Sequence, residues 1–99
     1  MNKSELIDIL TKKQPHLERK EVEFAVNCMF ELMSAALTAN DRIEIRGFGS
    51  FALHYHIPHI GRDPRTGGKL NLPARYIPFF KPGKELRRRV DSLRPHAKF

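Results

Sequence analysis

Four prolines between residues 54 and 80 constrain the fold of this chain more than any other feature. They are Pro58, Pro64, Pro73 and Pro78. Proline cannot donate a hydrogen bond to a neighbouring strand, so four of them exclude a central strand and require strand edges. A two-stranded ribbon has only edges. The sequence therefore predicts a long β-ribbon. The segment Gly61–Gly67 (GRDPRTG), midway between the two strands in sequence, forms its tip.

A register centred on this tip places Tyr55 opposite Tyr76 and Pro58 opposite Pro73. The aromatic pair would stabilise the ribbon, and the facing prolines fit a site that makes no ladder hydrogen bonds. At roughly 3.3 Å per residue, the strand over residues 53–64 spans about 35 Å. An isolated two-stranded ribbon is only marginally stable in water, so its outer half is expected to move until a partner holds it.

The remaining segments predict helices around a short sheet. Asn2 and Glu5 form a capping box for a first helix of about 11 residues. A second helix is predicted over residues 18–39, a strand over residues 42–46, and a third helix over residues 84–93. These elements indicate an α+β fold.

The whole chain is predicted to be one domain. Residues 1–53 and 80–94 form its body, residues 54–79 form a β-ribbon arm, and residues 95–99 form a tail.

The second helix is apolar on nearly all sides. At helical spacing it carries Val22, Val26, Met29, Phe30, Met33 and Leu37. Its other faces carry Phe24, Ala25, Cys28, Leu32, Ala35 and Ala36. Such a helix must be covered on nearly all sides, and two helices this small cannot cover it. It is either an unusually central core helix or, as we favour, a helix shared with a second subunit in an intertwined dimer.

Positive charge is concentrated in the second part of the chain. Residues 1–60 carry 7 basic and 8 acidic side chains, whereas residues 61–99 carry 11 basic and 3 acidic ones. Self-repulsion makes such a concentration costly for a fold, but it favours a polyanionic partner. Nucleic acid is the first candidate and an anionic membrane surface is the second.

The sequence predicts a cytoplasmic protein. No apolar run approaches the roughly 18 to 20 residues of a membrane span, and the amphipathic N-terminus is neither a secretory signal nor a transit peptide. Cys28 is the only cysteine, which excludes an intramolecular disulfide and fits a reducing compartment.

No catalytic site, cofactor, metal site or small-molecule substrate is predicted. His54, His56 and His59 suggest zinc, but no fourth ligand accompanies them at a sensible spacing. Cys28 lies in an apolar helix without a neighbouring base, which is typical of a core residue rather than a nucleophile. Nothing resembles an activated nucleophile or a carboxylate pair in a pocket.

The tip combines proline with arginine, and this combination indicates a wedge for nucleic acid. A cationic two-stranded arm can lie along a groove, with its arginines on phosphates or groove edges. Pro64 would be a stiff apolar wedge that enters between base pairs and kinks the duplex, while Arg62 and Arg65 hold it there. The alternative is an ordinary turn proline.

Four segments in this order resemble the HU and integration host factor family of bacterial DNA-bending proteins over essentially the whole chain. They are MNKSEL at the N-terminus, Arg46–Phe51 (RGFGSF), Gly61–Gly67, and Phe80–Leu86 (FKPGKEL). This family is itself a known example of minor-groove wedging, so the wedge and the resemblance are not independent evidence. Within the family, the run over residues 42–51 is most similar to the beta branch.

The resemblance implies a nucleoid-associated dimer that bends double-stranded DNA in recombination, replication and transcription. Its partner is a related alpha-type subunit or, alternatively, a second copy. Pro64 is the implied intercalating residue, and Arg46, positioned by Glu44, is implied to contact bases in the minor groove. The implied DNA-binding residues of the arm are Arg62, Arg65, Lys69 and Arg75. The implied phosphate contacts are Lys3, Ser4, Lys81, Lys84 and Arg87. The implied dimer core contains Phe30, Phe48 and Phe51.

Some residues depart from the family pattern. Asp63 stands where asparagine is usual, which places a negative charge beside the wedge and is expected to weaken tip binding. Gly68 replaces a residue that is often charged. The three arm histidines replace more basic residues, so affinity is expected to be lower or to depend on pH near neutrality.

The sequence also allows purely structural roles for some of these residues, and other functions for the chain. Glu44 and Arg46 could form a surface ion pair worth under about 1 kcal/mol, and the run from Arg87 to Arg89 could be a solvated helix face. The rival functions are a non-specific HU-like packaging protein, a binder of membranes or acidic proteins, and, more distantly, a nuclease.

Overall fold

Two helices form the N-terminal part of the chain. The computed structural model describes residues 1–93, within which α1 spans Lys3–Lys13 and α2 spans Arg19–Thr38. As predicted, the side chain of Asn2 caps α1 by accepting a hydrogen bond from the Glu5 amide at 2.9 Å. The first turn of α2 is closed in a related way, because the Glu21 carboxylate accepts from the Glu18 amide at 3.0 Å.

The core of this helical unit, residues 1–36, is small. Ile7 on α1 packs with Val22 and Val26 on α2, and Leu10 and Leu17 contact this cluster from its margin. An ion pair between Arg19 and Asp8 links the two helices at the surface. This core uses one face of α2 and leaves other apolar side chains of the helix exposed.

The second unit begins at residue 37 and contains the sheets and the third helix. In it, β1 (Ile43–Ile45), β2 (Gly49–His56) and β5 (Arg75–Pro82) form an antiparallel sheet with β2 in the centre. The predicted register is confirmed, because Tyr55 faces Tyr76 with ring centroids 5.1 Å apart.

A separate two-stranded ladder forms the outer part of the predicted arm. It pairs β3 (His59–Arg62) with β4 (Lys69–Leu72). Residues 57–58 and 73–74 belong to neither ladder, so the ribbon is interrupted where Pro58 and Pro73 were predicted to face each other. The register is nevertheless the same on both sides of the interruption. Proline's missing donor accounts for the gap.

The last described element is α3, which spans Lys84–Asp91. Its entry is joined to the sheet by a hydrogen bond from the Gly83 amide to the Phe48 carbonyl at 2.8 Å. Close packing at this corner requires Gly49, because a Cβ there would lie 2.6 Å from both the Lys81 carbonyl oxygen and the Phe80 ring. The predicted tail, residues 95–99, lies outside the described residues, as does residue 94.

Candidate nucleic-acid interface

The arm, residues 54–79, carries four basic side chains and a single acidic one. Arg62 on β3 lies directly opposite Lys69 on β4, and Arg75 lies on β5. Like charges at opposite positions destabilise a ladder. The Arg62–Lys69 pair therefore places two cations where they weaken the isolated ribbon, an arrangement that a bound polyanion would relieve.

A loop of six residues, 63–68, closes the end of the arm, and we call it the tip loop. The Asp63 amide donates to the Gly68 carbonyl at 2.9 Å, and the Gly67 amide donates to the Asp63 carbonyl at 2.7 Å. The Arg62 guanidinium donates to the Gly67 carbonyl at 3.1 Å. Gly67 has φ +71°, a left-handed conformation that glycine adopts without a steric penalty.

Pro64 lies at the turn of the tip loop and is exposed. The Asp63 carboxylate accepts a hydrogen bond from the Arg65 amide at 2.8 Å, which spans the proline. The Arg65 side chain, 92% exposed, extends into solvent. The tip thus presents an apolar ring between two arginines, and the ring has no backbone donor that a base stack would leave unsatisfied.

A second cationic region lies on the sheet unit. An open cavity of about 590 Å³ lies where β1, the turn after it, the end of β5 and the start of α3 meet. We call it the body cleft. Its charged lining residues are Arg42, Glu44, Arg46, Lys81, Lys84 and Arg87. Five of these six were predicted as site residues, and the structure brings them together.

Arg42 is the residue of the body cleft that the sequence interpretation missed. Its guanidinium pairs with the Glu44 carboxylate at 2.9 Å and lies 3.5 Å from the Ser50 hydroxyl. Glu44 was predicted to position Arg46, yet within residues 1–93 no ion pair joins these two side chains. Strand alternation could have indicated Arg42, because residues 42, 44 and 46 share one face of an extended chain.

The remaining predicted phosphate contacts, Lys3 and Ser4, belong to the helical unit. Both are exposed in the first turn of α1. The Lys3 ammonium donates to the Asn27 side-chain oxygen on α2 at 2.9 Å, so its position is held by a neighbouring helix rather than left free.

The three arm histidines have different surroundings and do not converge. His54 stacks on Phe79 with ring centroids 4.3 Å apart, and His59 Nδ1 lies 3.2 Å from the Ile57 carbonyl. Within residues 1–93, no group of three His, Cys, Asp or Glu side chains is placed to hold a metal ion. In the same part of the chain, no helix has the length and apolar character needed to span a bilayer.

The predicted dimer-core aromatics are incompletely covered. Phe30 on α2 is 42% exposed and Phe48 in the turn after β1 is 44% exposed. Phe51 on β2 is partly buried. Within the sheet unit, Phe48 and Phe51 both contact Phe80, with centroid distances of 5.3 and 4.7 Å.

Comparison with known proteins gives consistent matches over nearly the whole chain. Residues 1–91 match the family described as bacterial DNA-binding protein. The chain is 59% identical over 97 residues to integration host factor subunit beta of Xylella fastidiosa. This alignment covers 98% of this chain and 93% of that protein. The chain is also 58% identical over 93 residues to the corresponding subunit of Thioalkalivibrio sulfidiphilus, covering 94% and 97%.

A solved structure supports the same relationship at the level of the fold. HU from Anabaena, in a cocrystal structure with DNA, superimposes with a TM-score of 0.81 at 32% sequence identity. The alignment covers 91% of this chain and 97% of the HU chain.

Proposed function

This chain belongs to the HU and integration host factor family of bacterial DNA-binding proteins, and from this premise we propose that it is an architectural subunit that bends duplex DNA. Membership agrees with the prediction that the chain is not an enzyme. The finer proposal is that it acts as a beta-type subunit: the arm enters the minor groove, Pro64 opens one base step, and the body holds the bent duplex by its phosphates.

The tip loop is the observation that carries this proposal. Pro64 is exposed between Arg62 and Arg65, and hydrogen bonds within residues 62–68 fix the backbone around it. A stiff apolar wedge unstacks a base step at a cost of a few kcal/mol, which contacts to the bent duplex offset. A proline needed only for a turn would not require a cation on each side.

The body cleft supports a second role, that of holding phosphate groups and reading a groove. It contains five cations and one carboxylate. The carboxylate is that of Glu44, and it forms an ion pair with Arg42. Arg46 makes no ion pair within the described residues, so its guanidinium is available for base edges in the minor groove. We propose that Lys81, Lys84 and Arg87 hold phosphates, and that Lys3 and Ser4 do so from the helical unit.

A dimer accounts for the exposed apolar surface of α2. Within residues 1–93 only Ile7, Val22 and Val26 are buried apolar side chains. On the same helix, Phe24, Met29 and Leu32 remain 71, 61 and 72% exposed. Large apolar side chains exposed on more than one face of a helix are typical of an obligate interface. We propose that a related alpha-type subunit, or a second copy of this chain, covers it together with Phe30, Phe48 and Phe51.

The proposed cellular role follows from bending. A kinked duplex brings distant sites together, which serves recombination, replication and transcription, and this places the working protein in the cytoplasm on the nucleoid. We propose that binding has a site preference, rather than the uniform coverage of an HU-like packaging protein, because the chain is similar to proteins named integration host factor subunit beta.

The proposal is tested with the full chain isolated together with its native partner. Duplexes are selected from a random pool, and binding, bending and competition against unselected DNA are then measured. We expect tight binding, a strong bend and a clear preference for the selected duplex. A specificity ratio near one would support a packaging role. Preference for anionic vesicles over DNA, titrated in parallel, would contradict DNA binding as the function.

A further inference from the structure

The surroundings of Asp63 differ from those expected of a charge that merely opposes DNA. Its side chain is only 28% exposed, although it lies at the end of an arm that is mostly exposed. The carboxylate oxygen Oδ1 accepts a hydrogen bond from the Arg65 amide at 2.8 Å. The Arg65 guanidinium lies 4.0 Å from the same oxygen, a weak contact for an exposed pair.

The hydrogen bond to the Arg65 amide acts on Pro64, the residue between its two ends. The pyrrolidine ring already fixes φ of Pro64, which leaves ψ as its soft backbone dihedral. A side-chain oxygen that accepts from the amide two residues later closes an Asx turn and thereby restricts that dihedral. Ring and hydrogen bond together restrict both backbone dihedrals of the wedge.

The main chain of Asp63 also anchors the loop to the arm. Its amide donates to the Gly68 carbonyl, and its carbonyl accepts from the Gly67 amide. Asp63, which directly follows β3, is thus hydrogen-bonded both to residues 67–68 on the other side of the loop and to the residue after the wedge. A separate hydrogen bond, from the Gly68 amide to the Thr66 hydroxyl at 3.2 Å, lies on the returning side and does not span the proline.

We propose that Asp63 is a positioning residue that holds Pro64 in the orientation needed to enter a base step. This inference rests on the proposed function and deepens it. The acceptor oxygen fixes the wedge before DNA binds, so the entropic cost of ordering the tip does not reduce the binding free energy. The negative charge opposes this benefit, because it approaches phosphates.

Two neutral substitutions separate the acceptor from the charge. Asp63→Asn keeps an oxygen acceptor, whereas Asp63→Ala removes it, and both remove the charge. The bend is read from energy transfer between dyes on the two ends of the selected duplex, at saturating protein. The dissociation constant is measured on the same duplex. Thr66→Val serves as the matched tip control, since it removes a loop hydrogen bond that does not span Pro64.

We expect Asp63→Asn to keep the wild-type bend and to bind about two- to fivefold more tightly. Asp63→Ala should lose about half of the bend or more, because the wedge of each altered arm is no longer fixed. Thr66→Val should bend DNA as the wild type does. In the free protein, hydrogen exchange with solvent at the Arg65 amide should be slower when residue 63 is Asp or Asn than when it is Ala.

Three results would overturn the inference while leaving the proposed function intact. The first is a wild-type bend for Asp63→Ala in a protein whose bend depends on Pro64. The second is an equal loss of bend for Asp63→Asn and Asp63→Ala. The third is an equal loss for Thr66→Val, which would indicate general loosening of the loop. By contrast, a wild-type protein that binds the duplex without bending it would refute the proposed function itself, whatever the Arg65 exchange rate.

Discussion

Arg62 and Lys69 lie directly opposite each other across the two strands of the outer arm. Two cations therefore occupy one position of a two-stranded ladder. The Arg62 guanidinium is partly engaged by the Gly67 carbonyl, whereas no hydrogen bond or ion pair of the Lys69 side chain is found within the described residues. The pair fits the proposal that a polyanion lies along the arm.

Lys69→Gln should weaken DNA binding without destabilising the protein. Removing one phosphate-neutralising charge should reduce the slope of log affinity against log salt by about 0.9, and the relief of repulsion with Arg62 should leave the melting temperature unchanged or slightly higher. Binding titrations at several salt concentrations and thermal melts measure both. Lys20→Gln, at an exposed lysine in the first turn of α2, is the matched control and should keep the wild-type slope. A salt-independent affinity in the wild type would contradict phosphate anchoring.

Pro64→Ala should separate bending from binding. We expect affinity within about tenfold of the wild type, because the lost wedge contacts are partly offset by the unstacking that no longer occurs. Most of the bend should disappear in gel mobility of circularly permuted fragments. Pro73→Ala alters an exposed proline of the same arm away from the tip and should bend DNA normally. Unchanged mobility for Pro64→Ala would show that the ring is not the wedge.

Arg46→Gln should reduce site preference more than overall affinity. A side chain that reads base edges contributes discrimination, whereas cations on phosphates contribute affinity to every sequence. We expect the ratio between selected and random duplexes to fall by about tenfold. Arg87→Gln, on α3 in the same cleft, should weaken both duplexes alike. An equal effect of the two substitutions on the ratio would argue against base reading by Arg46.

Leu32→Glu should disrupt the dimer. Leu32 is 72% exposed in the single chain, so the substitution costs little there, but an unpaired charge buried in an interface costs about 3 to 5 kcal/mol. Native mass measurement should show dissociation, and the melting temperature should fall and depend more steeply on concentration. Glu31→Gln, at the neighbouring exposed position, should preserve the dimer. A fully dimeric Leu32→Glu variant would place the interface elsewhere.

Gly49→Ala should destabilise the sheet unit. The added Cβ would approach the Lys81 carbonyl oxygen and the Phe80 ring to 2.6 Å, and neither the central sheet nor the packed ring can move freely. Overpacking of this kind costs about 1 to 3 kcal/mol. Urea unfolding should show the loss as a lower midpoint. Gly68→Ala, where the nearest atom is the Thr66 hydroxyl at 3.3 Å, is the comparison. Equal midpoints for the two variants would contradict the packing at Gly49.

Local sequence determined the helices and the register of the ribbon. Asn2 and Glu5 predicted the start of α1, because capping depends on residues three apart. The tip and the prolines predicted that Tyr55 faces Tyr76, because a hairpin's register follows from the position of its turn. The clustering of charge after residue 60 and four ordered motifs were likewise sufficient to indicate the family.

Only the tertiary structure decided which side chains within reach of one another are partners. Sequence alone could not choose between Arg42 and Arg46 as the partner of Glu44, since both lie two residues away on the same strand face, and the structure selects Arg42. It also brought cations from β1, β5 and α3 into one cleft. At the tip it turned Asp63 toward the Arg65 amide. The pairing of side chains depends on their rotamers and on segments that approach each other only after folding. Neither can be inferred from the periodicity of the sequence.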